Sequence, residues 1–371
     1  MVAALGAGIA QADEKLERLQ GGGAGGKGCQ SVPQSSARFD MPLTLLVPDL
    51  LAPADAPAPL RAARLPALEK ALSRANASRE PGAGASWLLS RFGLPGSTPL
   101  ANLAAAAEGL PAADWLRADP VHQRIDRDAL VLHDPAVLDL ARGEADEAIA
   151  ALNGFFGEDG LAFVAPHPHR WYVRVPEGER PVTVPFDDAV GANPFGRLPS
   201  GGTRLRWRSM FSEAQMLLAG LPLNAAREAR GAPALNGVWF WGEGDAPMPR
   251  AAPFSRVLAT DPVVRGLALA AGPPGNEPPA TLAALPPSRE TDTLVVLDAL
   301  TPCLRRADPD GWIEAARQLE GDWFSRLLAA IPAFGRIRIV LPAERETRVF
   351  DLDGAARWRW FARTRALATH A

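Results

Sequence analysis

His167 and His169 are the two residues whose spacing most directly permits metal chemistry. Alternate residues of a strand project from one face, so both rings could chelate one ion. A structural or catalytic site needs a third protein ligand, and none lies nearby in the sequence. His122, His133 and His370 are scattered, and Cys29 and Cys303 are too few and too separated for a disulfide framework or a thiolate site. Nearly all the basic residues are arginine, with lysine only at positions 15, 27 and 70. Guanidinium forks suit phosphate and carboxylate, and the codon bias of a GC-rich genome accounts for the excess equally well.

The 371 residues, 47% hydrophobic and 22% charged, are enough to bury a full core in one large domain or two smaller ones. A net charge of −3 and a pI near 6.0 leave no whole-chain electrostatic footprint for nucleic acid or an anionic membrane. No apolar run approaches the ~20 residues that span a bilayer, and the N-terminus lacks the pattern of a secretory signal. With its sparse cysteines, the chain is expected in the cytoplasm.

The elements that must position any site follow from patterning. Residues 1–40 are glycine-, serine- and glutamine-rich and predict a disordered tail, with Met41 a plausible true start. Leu43 to Val47 is a continuous apolar run suited to a strand covered on both faces. A helix is predicted over 60–77 and another within 81–94. From 108 to 235 the pattern becomes short strands, near 129–132, 161–164 and 170–175, around a helix at 143–153; a further helix covers 205–218. Apolar strands return at 237–241, 293–297 and 337–341, with a helix at 312–331, the alternation of a parallel sheet.

Residues 221–244, LPLNAAREARGAPALNGVWFWGEG, resemble a segment of the archaeal-type cofactor-independent phosphoglycerate mutases. WLRADPVHQRIDRDALV at 115–131 and PHPHRWYVRV at 166–175 are similar to two further segments of that family, in the same order. The stretches DPVH at 119–122 and NGVWFWGEG at 236–244 also resemble bacterial regulatory proteins of the RpfE type, a divergent branch of the same relatives. The fold this implies is α/β: an alkaline-phosphatase-like, mostly parallel sheet core flanked by helices, with an inserted α+β domain. The corresponding boundaries are 41–107 and 236–371 for the core and 108–235 for the insertion.

In those mutases two divalent cations activate a serine and stabilise the attacking and leaving oxygens of phosphoryl transfer. On the resemblance, Asp49 stands at the first-strand aspartate, where it is equally well read as a turn or helix-capping residue. Gly84 replaces the nucleophilic serine and Leu88 a histidine, with Ser86 and Ser90 near but offset; helix capping is the plainer role of Ser86. Thr301 and Arg305 replace an aspartate and histidine, and a guanidinium has no lone pair to give a cation. Glu344, after Ala343, stands where another aspartate–histidine pair is expected.

The insertion keeps more of the pattern. Arg117, Arg170, Arg227, Arg230 and Asn224 match residues that hold the substrate's phosphate and carboxylate, and each is also open to an ordinary structural role. The function implied is that of a degenerate, non-catalytic relative without metal cofactor, binding a phosphorylated metabolite or a regulatory protein partner, with neither nucleic acid nor membrane indicated. The alternative is a working mutase or phosphatase that holds manganese or another divalent metal through Asp49, Asp298, Asp308 and Glu344.

Overall fold

Strand β1 (Leu43–Leu46) has no polar alternation because neither of its faces meets water. Leu43 and Leu45 enter one hydrophobic cluster, and Leu46 enters another on the opposite face. The computed structural model describes residues 43–51, 56–126, 129–133, 135–189, 194–201, 206–245 and 247–370. The expected tail over 1–40 and the start at Met41 lie outside the described residues.

The remaining strands, in chain order, are β2 (Asn76–Pro81), β3 (Trp115–Asp126), β4 (Ala129–His133), β5 (Ala162–His167), β6 (Arg170–Arg174), β7 (Pro181–Val182), β8 (Ser200–Gly201), β9 (Gly237–Trp241), β10 (Arg256–Leu258), β11 (Gly275–Asn276), β12 (Thr293–Val296), β13 (Ile337–Pro342) and β14 (Glu346–Leu352). A seven-stranded sheet runs in the order β11-β10-β12-β1-β13-β14-β2. Its pairs from β11 to β13 are parallel, and β14 and β2 are added antiparallel. Helices cover both faces. Leu68 and Leu72 of helix 66–74 join Trp312, Leu327 and Ile331 of the later helices on one side, while Trp87, Phe92, Leu103 and Leu267 form the other. This is the mixed α/β architecture, with a central mostly parallel sheet, that the sequence implies.

The second sheet is antiparallel and built around β3, which pairs β6 through Trp115–Arg117, β9 through Arg117–Val121 and β4 through His122–Asp126. Strand β5 then pairs β6. Helices 142–156 and 207–219 pack on this sheet through Ala148, Leu152, Phe156, Met210, Ala214 and Leu218.

Three expectations need correction. The helix expected over 60–77 is two short helices, 58–61 and 66–74, with Pro66 restarting the second, and Asn76–Pro81 is an edge strand. The helix expected over 312–331 breaks after Asp322, runs through a tight turn at 324–326 and resumes over 327–334. Gly237–Trp241 was read with the parallel strands, yet it pairs antiparallel with β3 in the second sheet. Its five-residue apolar run fits either sheet, because both faces are buried in both settings.

Helix 262–271 lies so close to helix 101–107 that a Cβ on Gly266 would stand 2.1 Å from the carbonyl oxygen of Leu103. Backbone cannot yield as a side-chain tip can, so Gly266→Ala is expected to cost about 2 kcal/mol or more. Denaturant unfolding at unchanged m-value is the measurement.

Candidate functional site

Parallel pairing places the C-terminal ends of β10, β12, β1 and β13 along one edge of the seven-stranded sheet, where ligands of open α/β sheets collect. The loops there carry Thr260 and Asp261 after β10, Asp298 and Thr301 after β12, Asp49 after β1 and Glu344 after β13. Strand β2 ends at the same edge, since Pro81 lies opposite Glu346, and Gly84 opens the helix that follows.

Asp49 adopts a left-handed backbone, φ 59°, which its short side chain tolerates. Its carbonyl accepts a hydrogen bond from the Trp312 indole at 3.0 Å, and its carboxylate accepts one from the Thr301 hydroxyl at 2.5 Å. Thr301 begins helix 301–305 and is held there by the bond from its N–H to the Asp298 carbonyl. Arg305 closes the same helix at the surface. Asp308 caps helix 309–322 by accepting from the Gly311 N–H at 2.8 Å. Glu344 is exposed in the turn between β13 and β14. Ser86 both donates to the Ala83 carbonyl and accepts from the Ala83 N–H, which occupies its hydroxyl at the start of helix 84–91.

The structure therefore brings Asp49 and Thr301 into contact and sets Gly84 and Glu344 on the same edge; among the described residues no hydrogen bond or ion pair joins those two to Asp49. Two divalent cations would need several oxygen or nitrogen donors converging on each ion. Here Asp49 and Asp298 are each engaged by a threonine hydroxyl, Asp308 caps a helix, Glu344 is exposed to solvent, and an arginine ends the helix that Thr301 begins. This donor set does not fit the pair of metals. Among the described residues no group of three His, Cys, Asp or Glu side chains is placed to hold an ion.

Asp298 is the second of the four carboxylates that the alternative reading offers as metal ligands. Its Oδ2 accepts from the Thr260 hydroxyl at 2.5 Å. Burial pushes its pKa up against the effect of that bond, Asp261 adds a neighbouring negative charge, and Arg170 draws it back. Arg170 belongs to β6 of the second sheet, so charge on that sheet reaches this edge. There Nε of Arg170 bonds Glu108 at 2.7 Å.

Arg117, also on the second sheet, donates from Nε to Asp119 at 3.1 Å and from Nη2 at 2.5 Å. Its guanidinium carbon lies 5.2 Å from the Tyr172 ring centre and 5.4 Å from that of Trp241, whose indole N–H donates to Asp119 at 2.7 Å. Burial opposes the charge on Arg117, but Asp119, Tyr172 and Asp261 together hold its pKa above the ordinary value. Among the described residues the buried Tyr172 hydroxyl has no hydrogen-bond partner, and burial pushes its pKa up. Glu108, Asp261 and Tyr172 carried no role in the sequence reading because their contacts with Arg170 and Arg117 cross between separate elements, whereas Asp119, two residues from Arg117 on β3, was open to detection by spacing.

Three other residues expected at the ligand have partners within the protein. Arg227 is fully buried and spends its guanidinium on the carbonyls of Pro233 and Leu138 and on Glu144. Arg230 pairs with the same Glu144 at 2.6 Å. Asn224 donates to the carbonyls of Leu218 and Leu235 and accepts from the Leu235 N–H, fastening helix 222–229 to the run before β9. These are framework bonds. Of the two histidines expected on one strand face, His167 ends β5 and His169 lies in the turn before β6, where its Nε2 accepts from the Leu140 N–H at 2.7 Å; burial followed by Arg170 depresses the pKa of His167.

No family model matches the chain, and no curated protein matches it. Among solved structures, the chain is similar to a cofactor-independent phosphoglycerate mutase from Thermoplasma acidophilum, with 16% identity, a TM-score of 0.39 and coverage of 84% of this chain and 89% of that one. It is also similar to the PH0037 protein of Pyrococcus horikoshii, with 15% identity, a TM-score of 0.48 and coverage of 84% and 87%.

Two outcomes follow from this geometry. Arg227→Met strands two carbonyls and takes from Glu144 one of its two arginine partners, and is expected to lose about 3 kcal/mol of stability by urea unfolding. Asp298 has a raised folded pKa, so its contribution to stability is full below the unfolded value and is lost as pH rises through the folded one. Asp298→Asn is therefore expected to raise Tm at neutral pH, with the gain shrinking on acidification.

Proposed function

We propose that this chain is a catalytically silent relative of the archaeal-type cofactor-independent phosphoglycerate mutases that binds a small phosphorylated or carboxylated metabolite and does not turn it over. The observation that carries this reading is the Thr301 hydroxyl on the Asp49 carboxylate. In phosphoryl transfer of this kind, paired cations lower the pKa of a serine and neutralise charge at the attacking and leaving oxygens. Here the residue at the serine position is Gly84, and the hydroxyl nearest to it, Ser86, is bonded within its own turn.

Binding asks less of a site than turnover does. Arg170 and Arg117 stand on the second sheet, and Asp298 and Asp261 on the edge of the first feel their charges. An anionic group entering at Arg170, whose side chain is 29% exposed, would exchange with Glu108 for the guanidinium fork, while the Thr260 and Thr301 oxygens, whose protons are given to Asp298 and Asp49, can each still accept from a hydroxyl of the ligand. A protein that holds a metabolite without consuming it is suited to report its level to a partner, which is the regulatory role we assign.

Purified protein is expected to interconvert neither 2- nor 3-phosphoglycerate in manganese or cobalt, and to be stabilised by a member of a panel containing both acids and phosphoenolpyruvate. At about one hundred times its dissociation constant a ligand adds about 2.7 kcal/mol, readily seen in a melting curve. Arg170→Met should abolish the shift, and Arg230→Met should keep it. Turnover by the metal-supplemented protein would overturn the silent-relative reading; a panel without any shift would overturn metabolite binding.

A further inference from the structure

Residues 357–365 read Arg-Trp-Arg-Trp-Phe-Ala-Arg-Thr-Arg: four arginines and no acid, in a chain whose net charge is −3. Trp358, Trp360 and Phe361 are 75%, 76% and 76% exposed, whereas the other large exposed apolar residues, such as Phe155, Val182 and Met216, are separate in the sequence. Adjacent bare aromatics are unusual on a soluble surface and mark a contact surface.

The segment is fixed at both ends and in the middle. Ala356 and Leu367 are buried in the main core, and the Leu367 N–H bonds Glu69 at 3.1 Å. Nη1 of Arg359 donates to the Arg74 carbonyl and to Asn76, each at 2.9 Å, and the Arg365 N–H bonds the Ser73 hydroxyl at 3.0 Å. Arg359 is thus used to hold the segment in place. Arg357, Arg363 and Arg365 are exposed and, among the described residues, have no carboxylate partner.

We propose that residues 357–365 form a docking surface for an anionic phospholipid layer, with the indole and phenyl rings entering the headgroup region and Arg357, Arg363 and Arg365 meeting the lipid phosphates. Charge complementarity and ring chemistry select this occupant. Tryptophan and phenylalanine flanked by arginine match the apolar and anionic layers of a lipid interface in turn. A symmetric pairing with a second copy would set the arginines against one another. Single-stranded nucleic acid prefers flat stacking platforms, and the Trp360 and Phe361 rings stand at 79° to each other.

The full chain should be sedimented with vesicles of phosphatidylcholine alone and of phosphatidylcholine with roughly 30% phosphatidylglycerol, where we expect about tenfold tighter association with the anionic vesicles, weakening as salt is raised. The triple variant Trp358→Ala/Trp360→Ala/Phe361→Ala should lose that association, and Arg357→Glu/Arg363→Glu/Arg365→Glu should lose the preference for anionic lipid. Unchanged melting temperatures confirm that both still fold. Equal recovery with the two vesicle types, or variants that bind like the parent, would overturn the proposal. So would binding of oligothymidylate with none to vesicles, which would assign the surface to nucleic acid, or binding to neither, which would leave it to a protein.

Discussion

Burial of β1 on both faces constrains everything else in the larger sheet. A strand with no solvent face can hold its backbone donors and acceptors only by pairing on both sides, and β12 and β13 supply those partners from the far end of the chain. Their parallel register then determines which loops meet. Asp49 and Thr301 are neighbours because Leu46 is opposite Val296 and the ladder continues through the Leu297 N–H to the Leu46 carbonyl. The contact between the two side chains is a consequence of strand register, and the register is a consequence of apolar burial.

Three arginines each have a carboxylate counterpart: Arg117 rests on Asp119, Arg170 on Glu108 and Arg227 on Glu144. Asp298, at the sheet edge, has instead a hydrogen bond from the Thr260 hydroxyl and the more distant charge of Arg170. Breaking a buried pair leaves a charge whose desolvation is uncompensated, a larger effect than the pair's own net contribution. These arginines therefore serve the fold whether or not they also serve a ligand, and their abundance in the sequence is no guide to which of them do both.

What could be read from the sequence followed burial. Leu43–Leu46, Thr293–Val296 and Ile337–Leu341 announced a parallel sheet because apolar runs have few other uses. Strand β2 gave no such sign, since an edge strand that is mostly exposed has no face to make apolar. Much of β3 was equally silent: Arg117, Asp119 and Gln123 are polar yet buried, Arg117 pairing with Asp119 along the strand itself and the Gln123 N–H donating to Asn236 just ahead of β9. At the site, Asp49 and Thr301 were named through the family resemblance, each just beyond an apolar strand, whereas the pairing of Thr260 with Asp298 required knowing that β10 lies beside β12. The arginine-aromatic segment at 357–365 was concealed by averaging, because a whole-chain charge of −3 does not register a local cluster.

Strand β3 pairs with three others, and the last of them to leave the ribosome is β9. Until residue 241 has been made, the side of Arg117–Val121 that will face β9 has no partner, and the ridge of Trp239 and Phe240 that completes its packing does not yet exist. Closure over so long a separation is slow relative to hairpin formation. The nascent chain thus carries an open, partly apolar strand edge while all the residues between Asp126 and Trp241 are made, the condition in which edges recruit other chains. Pro120, at the middle of that edge, has no N–H to offer such a neighbour. It spoils the template for the wrong strand while β9, with Val238 opposite it, still completes the sheet.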